Sequence, residues 1–331
     1  MVSILTPFKN TAQFLPECIE SILGQSYENW ELIAVDDHSS DDSQDVMQSY
    51  AQQDSRIQVF KNEGQGIIAA LRLAYSKSRG KFITRMDSDD IMFPHKLKVL
   101  KSKLEKSGKG HIAIGQVKYF SEQGISDGYS RYEKWINGLT AKGNNYDEIY
   151  KECVIPSPCF MVYRDDLTDC DAFQPDRYPE DYDLTFRFYQ QGIKCLPCDQ
   201  LLHYWRDYPT RTSRTHIHYA NNTFLAIKLY YFLLLDYDSQ RPLTLWGAGE
   251  KGKFIAKGLI EKGIPFHWIC DNPKKIGHKI YRQEMKGVSF LQAMRQPQSI
   301  ITVANKHSQE EIKIHMAERG HQPVKDYFFF C

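Results

Sequence analysis

The first hundred residues alternate short apolar runs with segments whose apolar residues recur at helical spacing, and this alternation constrains the fold more than any other feature. Short apolar runs separated by helices are typical of a parallel sheet, in which each helix crosses over to the next strand. We therefore predict an α/β fold with a mixed, mostly parallel sheet flanked by helices. The predicted strands are residues 2–6, 30–35, 57–60 and 81–86, and the predicted helices are residues 15–23, 43–53 and 67–78.

Acidic segments directly follow two of the predicted strands. Asp36 and Asp37 come after the second strand, and Asp87, Asp89 and Asp90 come after the fourth. In open α/β sheets, ligands bind in the crevice at the carboxyl ends of the strands. These carboxylates are therefore expected at a binding site rather than on an ordinary solvated face.

Asp87 and Asp89 are two residues apart, so both carboxylates point to the same side of an extended strand end. Carboxylate oxygens bind hard divalent cations such as Mg²⁺ or Mn²⁺. Such a cation stabilises the negative charge that develops on a nucleotide diphosphate when a sugar–phosphate bond breaks. The alternative is that these carboxylates only cap the helix predicted to begin near Pro94.

A second acidic pair, Glu180 and Asp181, opens a predicted helix that continues past Arg187. The helix dipole favours the ionised form of a carboxylate at this end. A general base must be ionised to take the proton from an acceptor hydroxyl, so this pair is a candidate for that task. Helix capping alone is the alternative.

Taken in order, these motifs give residues 1 to about 215 a resemblance to glycosyltransferase family 2, whose members have the GT-A fold. Residues 2–8 resemble the opening strand and donor loop of the family, and residues 35–42 resemble its Asp-Asp-Gly-Ser-x-Asp turn. Residues 86–90 resemble the metal motif, and residues 180–187 resemble the Glu-Asp-x-x-Leu-x-x-Arg element that carries the base.

The resemblance implies that a sugar moves from a nucleotide-diphosphate donor to a hydroxyl group by direct, inverting displacement, with no covalent intermediate on the enzyme. It implies Mg²⁺ or Mn²⁺ as cofactor, held by Asp89 and by Asp87, with Asp87 nearer the ribose. It also implies Asp181 or Glu180 as the catalytic base. The implied donor-binding residues are Pro7, Phe8, Asp36, Asp37, Asn62, Gly64, Arg72, Asp87 and Arg206.

The sequence departs from the family pattern at two positions. Where the family often has an Ala-Arg-Asn motif, this sequence has Ala70-Leu71-Arg72, so an arginine contact to the donor is either missing or shifted by one residue, which leaves the base and sugar preference of the donor open. Tyr208 occupies the place of a histidine that completes the metal site in many members. Arg206 and Arg211 are candidate diphosphate contacts, because guanidinium groups match phosphate oxygens. The candidate substitutes for the missing histidine are His203, Asp207 and His216.

A second unit is predicted where a polar break and Pro242 precede a new strand, residues 243–246. A glycine-rich turn follows this strand and opens a helix, the context in which backbone approaches a phosphate closely. An acidic residue after the next strand falls where a ribose-binding acid belongs. The candidate nucleotide-binding residues of this unit are Gly247, Gly249, Gly252 and Asp271.

This C-terminal segment resembles the small Rossmann-like modules attached to sugar-modifying enzymes. Its length is enough for only one half of a dinucleotide-binding fold. One interpretation is a degenerate module used for packing, dimerisation or acceptor docking, and the other is genuine binding of a nucleotide or nucleotide-sugar. We predict a transferase domain over residues 1–215, a helical linker over 216–240 and the Rossmann-like domain over 241–331.

The charge balance gives no bulk electrostatic reason to expect a nucleic acid or an anionic membrane as the main partner, since 42 Lys+Arg face 41 Asp+Glu. The N-terminus is typical of a first strand rather than a signal peptide. The longest apolar stretch, residues 230–235, is far shorter than the roughly 20 residues of a spanning helix. We expect a cytoplasmic protein with reduced cysteines, Cys195 and Cys198 included.

A helix is predicted over residues 216–236. Contact of this helix with the inner face of the membrane is an alternative that the sequence leaves open.

The leading hypothesis is a glycosyltransferase that acts on a glycan or lipid-linked acceptor in surface polysaccharide synthesis. The resemblance to family 2 favours UDP as the nucleotide of the donor, because UDP-sugars are the usual donors in that family. One alternative is a regulatory protein that binds a nucleotide or nucleotide-sugar and has an inactive transferase domain. Another is an NAD-linked oxidoreductase centred on residues 247–252. The sequence leaves the donor sugar, the acceptor, the linkage and the oligomeric state open.

Overall fold

The computed structural model describes residues 1–211, 214 and 223–331. The chain forms two compact units, of which the first comprises Met1–Asn145 and Val154–Thr215. The second comprises Tyr146–Cys153 and His216–Cys331. The short segment Tyr146–Cys153 is therefore part of the second unit although first-unit residues flank it on both sides, and no feature of the sequence predicts this exchange.

The first unit begins with the alternation of strands and helices that the sequence predicts. The three helices predicted in the first hundred residues are confirmed to within one residue at each end. In chain order the elements are β1 (Val2–Phe8), α1 (Leu15–Leu23), β2 (Trp30–Asp36), α2 (Ser43–Gln53), β3 (Ile57–Lys61), α3 (Gly66–Lys77), β4 (Phe82–Arg85), β5 (Ile91–Met92), α4 (Lys96–Ser107), β6 (His111–Ile114), β7 (Gln116–Phe120), α5 (Asp127–Lys142), β8 (Phe160–Tyr163), α6 (Arg164–Asp169), α7 (Glu180–Gln190), β9 (Lys194–Leu196) and β10 (Leu201–Arg206). A 3₁₀ turn at Asn145–Glu148 begins at the last residue before the segment that belongs to the second unit.

Seven strands form the main sheet in the order β3-β2-β1-β4-β8-β6-β9. Strands β3, β2, β1 and β4 are parallel, and β8 runs antiparallel to both of its neighbours, β4 and β6. The prediction of a mixed, mostly parallel sheet is confirmed. The register aligns Phe8 with Asp36 and Asp36 with Lys61, so the loops that follow β1, β2 and β3 leave the sheet side by side.

A small second sheet holds the acidic segment that follows β4. Its strands lie in the order β5-β10-β7, with β10 antiparallel to β5 and parallel to β7. His203 and Tyr204 of β10 pair with Met92 and Ile91 of β5. Asp87–Asp90 is therefore tied at one end to the main sheet and at the other end to this second sheet.

Strands β1 and β2 are buried at every position, as expected for central parallel strands covered on both faces. Helix α1 shows why the neighbouring helices form where the sequence predicts them. Its buried residues recur at helical spacing and a proline stands in its first turn, where the missing N–H costs no hydrogen bond. The buried residues of α1 are Leu15, Cys18, Ile19 and Ile22.

Helix α5 is an element that was not predicted from the sequence. Only Ile136, Leu139 and Thr140 of this helix are buried. Capping supports both of its ends, because the Ser126 side chain accepts the first hydrogen bond and Gly143 adopts a left-handed conformation.

The second unit contains a six-stranded sheet in the order β13-β14-β12-β11-β15-β16. Strands β14, β12, β11, β15 and β16 are parallel, with the first of them in sequence, β11, at the centre. Its elements are α8 (Thr223–Tyr231), a π-helical turn (Phe232–Asp236), β11 (Leu243–Trp246), α9 (Glu250–Glu261), β12 (His267–Ile269), β13 (Lys279–Ile280), β14 (Gln283–Lys286), a 3₁₀ turn (Val288–Ala293), β15 (Gln298–Ile301), α10 (Lys306–Glu318) and β16 (Tyr327–Phe329).

The helix predicted over 216–236 is represented by α8 and the π-helical turn, while its first part, 216–222, lies outside the described residues. Within residues 1–211, 214 and 223–331, no helix has the combination of length and hydropathy that crossing a bilayer demands.

Two glycines of the turn between β11 and α9 are required by close backbone packing. Gly247 has a φ of +113°, and the indole N–H of Trp268 donates to its carbonyl oxygen at 2.7 Å. A Cβ on Gly252 would lie 2.2 Å from the same carbonyl oxygen, whereas a Cβ on Gly249 would meet no atom within 4 Å. Gly247 and Gly252 therefore have a structural function that does not depend on any ligand.

We expect Gly252→Ala to destabilise the protein by about 1–3 kcal/mol, because the backbone must move to admit the methyl group. The matched control is Gly138→Ala in α5, where a Cβ meets nothing within 4 Å. That change should stabilise its helix by about 0.5–1 kcal/mol, since alanine loses less entropy than glycine in a helix. Chemical denaturation of both variants measures the difference, and a Gly252→Ala variant as stable as Gly138→Ala would contradict this account of the turn.

Candidate active site

Side chains from the two acidic segments meet at the carboxyl end of β4, joined by an arginine. Arg85 is the last residue of β4, and its Nε donates to Oδ1 of Asp87 at 2.9 Å. Its Nη1 donates to Oε1 of Glu180, the first residue of α7, at 3.0 Å. The side chains of Arg85 and Glu180 are only 7% and 6% exposed. Two segments that are distant in sequence therefore share one site.

Asp181 follows Glu180 and is the less buried of the two carboxyl groups. Its Oδ1 accepts a hydrogen bond from the backbone N–H of Tyr182 at 2.8 Å. Burial, together with the charge of Glu180, raises the pKa of Asp181 to about 7, although Arg85 acts in the opposite direction. The helix dipole favours the ionised form of a carboxylate at this end of α7, but the cost of desolvating the charge acts in the opposite direction and is larger.

A small cavity lies beside these carboxyl groups. Arg85, Glu180 and Asp181 form its charged part, and Phe160 and Phe173 are among its apolar walls. The mainly apolar lining is the source of the desolvation that raises the pKa of Asp181. A carboxyl group that titrates near neutral pH in such a cavity has the properties of a general base.

Asp89 and Asp90 are more deeply buried than Asp87. The hydroxyl of Tyr208 hydrogen-bonds to the carboxyl group of Asp89. Asp90 accepts the backbone N–H of Arg206 at 2.8 Å and pairs with Nε2 of His203 at 2.8 Å. Tyr208, which stands where many members of the resembled family have a histidine, thus contacts one of the predicted metal ligands.

Asp87 and Asp89 offer the carboxylate oxygens that a hard cation prefers. Among the residues that the structure describes, no three His, Cys, Asp or Glu side chains form a metal-binding group. Mg²⁺ is commonly held by one or two carboxylates while water and phosphate oxygens fill its other positions. The two aspartates fit that mode of binding, in which the substrate completes the coordination shell.

The proposed substitutes for a third metal ligand have other contacts. His203 is fully buried between Asp90 and Lys96, whose Nζ lies 3.1 Å from its Nδ1. Asp207 accepts two hydrogen bonds from the guanidinium of Arg214, at 2.8 and 2.6 Å. Both candidates are thus engaged with basic side chains of the protein. His216 lies outside the described residues.

The predicted donor-binding residues of the first three loops form one hydrogen-bonded network. Oδ1 of Asp37 accepts the side-chain amide of Asn62 at 2.7 Å, and Oδ1 of Asn62 accepts the backbone N–H of Gly64 at 3.1 Å. The carbonyl oxygen of Phe8 accepts the N–H of Asp37 at 2.9 Å. Asp36 lies at the end of β2, where its Oδ1 accepts the N–H of Ser39 at 3.0 Å. Pro7 is buried next to Phe8 in β1.

The guanidinium groups of Arg72 and Arg206 both form hydrogen bonds with other residues of the protein. Arg72, in α3, donates to the carbonyl oxygens of Phe173 and Gln174 at 3.2 and 2.7 Å and pairs with Asp176 at 2.8 Å. It therefore holds the segment that leads to α7. Direct contact of Arg72 with a donor stays a prediction.

Arg206 donates through Nε to the carbonyl oxygen of Asp89 at 2.6 Å and through Nη2 to Glu17. Its guanidinium lies 4.7 and 4.5 Å from the ring centroids of Phe14 and Phe120. These contacts fix the acidic segment against α1. The diphosphate contact predicted for Arg206 would require some of them to be exchanged.

Arg211 is buried, and its guanidinium lies 5.3 Å from the ring centroid of Trp205. Its charge acts on Asp89 and Asp90 and opposes the rise in the pKa of both carboxyl groups. Arg211 thus places positive charge near Asp89, a predicted metal ligand, and its contact with a diphosphate stays a prediction.

Arg85 and Lys96 were not predicted as site residues from the sequence. Arg85 had a recognisable signal, because a single charged residue ends the apolar strand Phe82–Arg85 directly before Asp87. Lys96 had none, because its helix contains several lysines and only the structure shows that Lys96 alone among them is buried. In the second unit, Gly249 caps α9 and Asp271 is exposed.

A sequence model described as "Glycosyl transferase family 2" matches residues 3–171. The putative glycosyltransferase EpsE of Bacillus subtilis is 28% identical over 80% of this chain and 90% of its own length. Glycosyltransferase GlyG of Streptococcus pneumoniae is 35% identical over 39% of this chain, and the putative teichuronic acid biosynthesis glycosyltransferase TuaG of B. subtilis is 28% identical over 50%. The matches span only 42% of GlyG and 63% of TuaG.

Among solved structures, residues 1–349 of S. aureus TarS in complex with UDP-GlcNAc superpose with a TM-score of 0.56. The superposition covers 78% of this chain and 71% of the TarS chain, at 18% sequence identity. At that identity the likeness concerns the fold, and it agrees with the predicted GT-A architecture.

Proposed function

The chain belongs to glycosyltransferase family 2, and we propose that it transfers a sugar from a nucleotide-diphosphate donor to a hydroxyl group with inversion at the anomeric carbon. One observation carries this proposal: Arg85 joins the acidic segment after β4 to the acidic start of α7. An inverting transfer needs a group that stabilises the leaving diphosphate and a base on the opposite face of the sugar. The joined segments offer candidates for both.

Asp181 takes the proton from the acceptor hydroxyl in this proposal, since Glu180 is already held by Arg85 and Asp181 is the more exposed. The network of Asp37, Asn62 and Gly64 orients the nucleoside at the ends of β2 and β3. The apolar cavity walls exclude water from the base. A divalent cation held by Asp89 and Asp87 supplies Lewis-acid stabilisation of the diphosphate when it is bound.

The comparisons support the choice of substrates. A nucleotide-sugar donor is supported by the TarS structure with UDP-GlcNAc, and we propose UDP as the nucleotide. TuaG is described as a teichuronic acid biosynthesis glycosyltransferase. We therefore propose a glycan or lipid-linked acceptor in the synthesis of a surface polysaccharide. A cytoplasmic reaction, peripheral to the inner face of the membrane, stays a prediction.

The assembled acidic site favours an active enzyme over a regulatory protein with an inactive transferase domain. Burying a charged carboxylate costs free energy unless the charge is paired. An inactive transferase domain would have no functional need to keep several carboxylates buried together at this cost. The first unit nevertheless places Asp87, Asp89 and Glu180 in buried or nearly buried positions. Among the described residues 223–331, which include the glycine turn between β11 and α9, no aspartate or glutamate is buried.

We predict that Asp89→Asn and Asp181→Asn each lower acceptor-dependent transfer by about 100-fold or more, the range of a lost general base or ion ligand. Release of nucleotide from UDP-, GDP- and dTDP-sugars with Mn²⁺ measures the effect. Only Asp89→Asn should also weaken Mn²⁺-dependent donor binding in calorimetry. Asp45→Asn, on the exposed face of α2, is the matched control. Full transfer activity in either site variant would contradict the assignment.

The pH dependence follows from the pKa of about 7 at Asp181. A base works only when ionised, so kcat/KM should fall about tenfold per pH unit below that pKa and level off above it. Thermal unfolding over the same pH range checks that the protein stays folded. A rate that is flat from about pH 5.5 to 8 would show that Asp181 is not the titrating base.

A further inference from the structure

We propose that Arg85 is a positioning residue that locks the base-bearing helix α7 to the strand end that carries the predicted metal ligands. The inference rests on the proposed function and extends it, because it names the group that holds the two halves of the site in register. Arg85 touches neither substrate in this account. It acts through Asp87 on one side and through Glu180 on the other.

The geometry of the guanidinium is suited to this task. Nε faces Asp87 at 2.9 Å and Nη1 faces Glu180 at 3.0 Å, so the two carboxylates use different edges of one planar group. A lysine ammonium is a point charge on a flexible stem and lacks this fixed fork. Arginine at residue 85 therefore sets the spacing of the two acidic segments as well as their charge balance.

The ion pairs of Arg85 with Asp87 and Glu180 offset an electrostatic repulsion between the two carboxylates. The side chains of Arg85, Asp87 and Glu180 are 7%, 16% and 6% exposed. Two largely buried carboxylates repel each other and lose hydration, and a single shared cation opposes both effects. Without Arg85, α7 and the acidic segment have an electrostatic reason to move apart.

Other contacts show that α7 does not need Arg85 in order to fold. Asp183 pairs with Arg177 and with Arg187, both at 2.8 Å. Arg187 also donates to the carbonyl oxygen of Ala172 at 2.7 Å. These bonds attach α7 to the preceding segment, residues 170–177, and Arg72 attaches that segment to α3. Arg85 supplies a separate attachment, from α7 to β4.

Arg85 also acts on the charge of the base. Burial and Glu180 raise the pKa of Asp181, Asp87 raises it further, and Arg85 lowers it. Loss of the guanidinium therefore moves the pKa of Asp181 upward. A residue that served only to stabilise the fold would leave the pH profile of the reaction in place, so this shift separates positioning from simple packing.

The test compares Arg85→Met, Arg85→Lys and Arg177→Met in the full chain. We expect Arg85→Met to lower kcat for transfer by about 100-fold, the cost of misplacing reacting groups by about an ångström. The midpoint of its pH profile should move upward. Arg85→Lys should retain the wild-type midpoint and recover part of kcat. Arg177→Met removes one ion pair of α7 away from Asp87 and Glu180, and it should keep kcat within about threefold while the second partner of Asp183 remains.

Wild-type kcat and an unchanged pH midpoint in a folded Arg85→Met variant would overturn the inference while leaving the proposed function intact. Equal loss of kcat in Arg85→Met and Arg177→Met, with no shift in either midpoint, would also overturn it, because it would indicate a general effect on α7. The proposed function fails separately, if the wild-type chain releases no nucleotide from any of the three donor classes. Circular dichroism and thermal unfolding confirm that each variant is folded before its kinetics are compared.

Discussion

The site depends on one constraint, which is that carboxylates from two distant segments must be buried side by side without a net repulsion that drives them apart. Arg85 meets this constraint by bonding Asp87 and Glu180 at once. Its position is fixed by the sheet, because β4 is paired with β1 on one side and with β8 on the other. A strand held on both edges gives the backbone of Arg85 little freedom, and the bond from its guanidinium to Glu180 adds an attachment of α7 to β4.

Other parts of the first unit hold the predicted donor-binding loops and the acidic segment after β4 in place. The parallel register of β1, β2 and β3 brings their loops to the same edge, where Asp37 and Asn62 share a hydrogen bond. The small sheet ties the segment after β4 to β10, and Arg206 ties it to α1. Rigid supports of this kind suit a site that must align a donor and an acceptor within about half an ångström.

The sequence predicted the elements whose signals are local and missed the features that depend on partners. Apolar periodicity identified α1 to within one residue, and acidic residues after β2 and β4 indicated the edge of the site. Arg72 lies one residue away from the place of the arginine in the family motif, and nothing in the sequence shows that its guanidinium holds the segment before α7. The raised pKa of Asp181 could not be predicted, because the sequence reveals the helix end but not the apolar residues around it.

The most direct test of the central claim is a crystal structure of the chain with Mn²⁺ and UDP, in which anomalous scattering locates the ion. The account predicts a peak bonded to Asp89 and Asp87, a diphosphate oxygen on the same ion, and the Asp181 carboxyl group facing the same cavity. An ion bound elsewhere in the first unit, or UDP bound only at the glycine turn between β11 and α9, would contradict it.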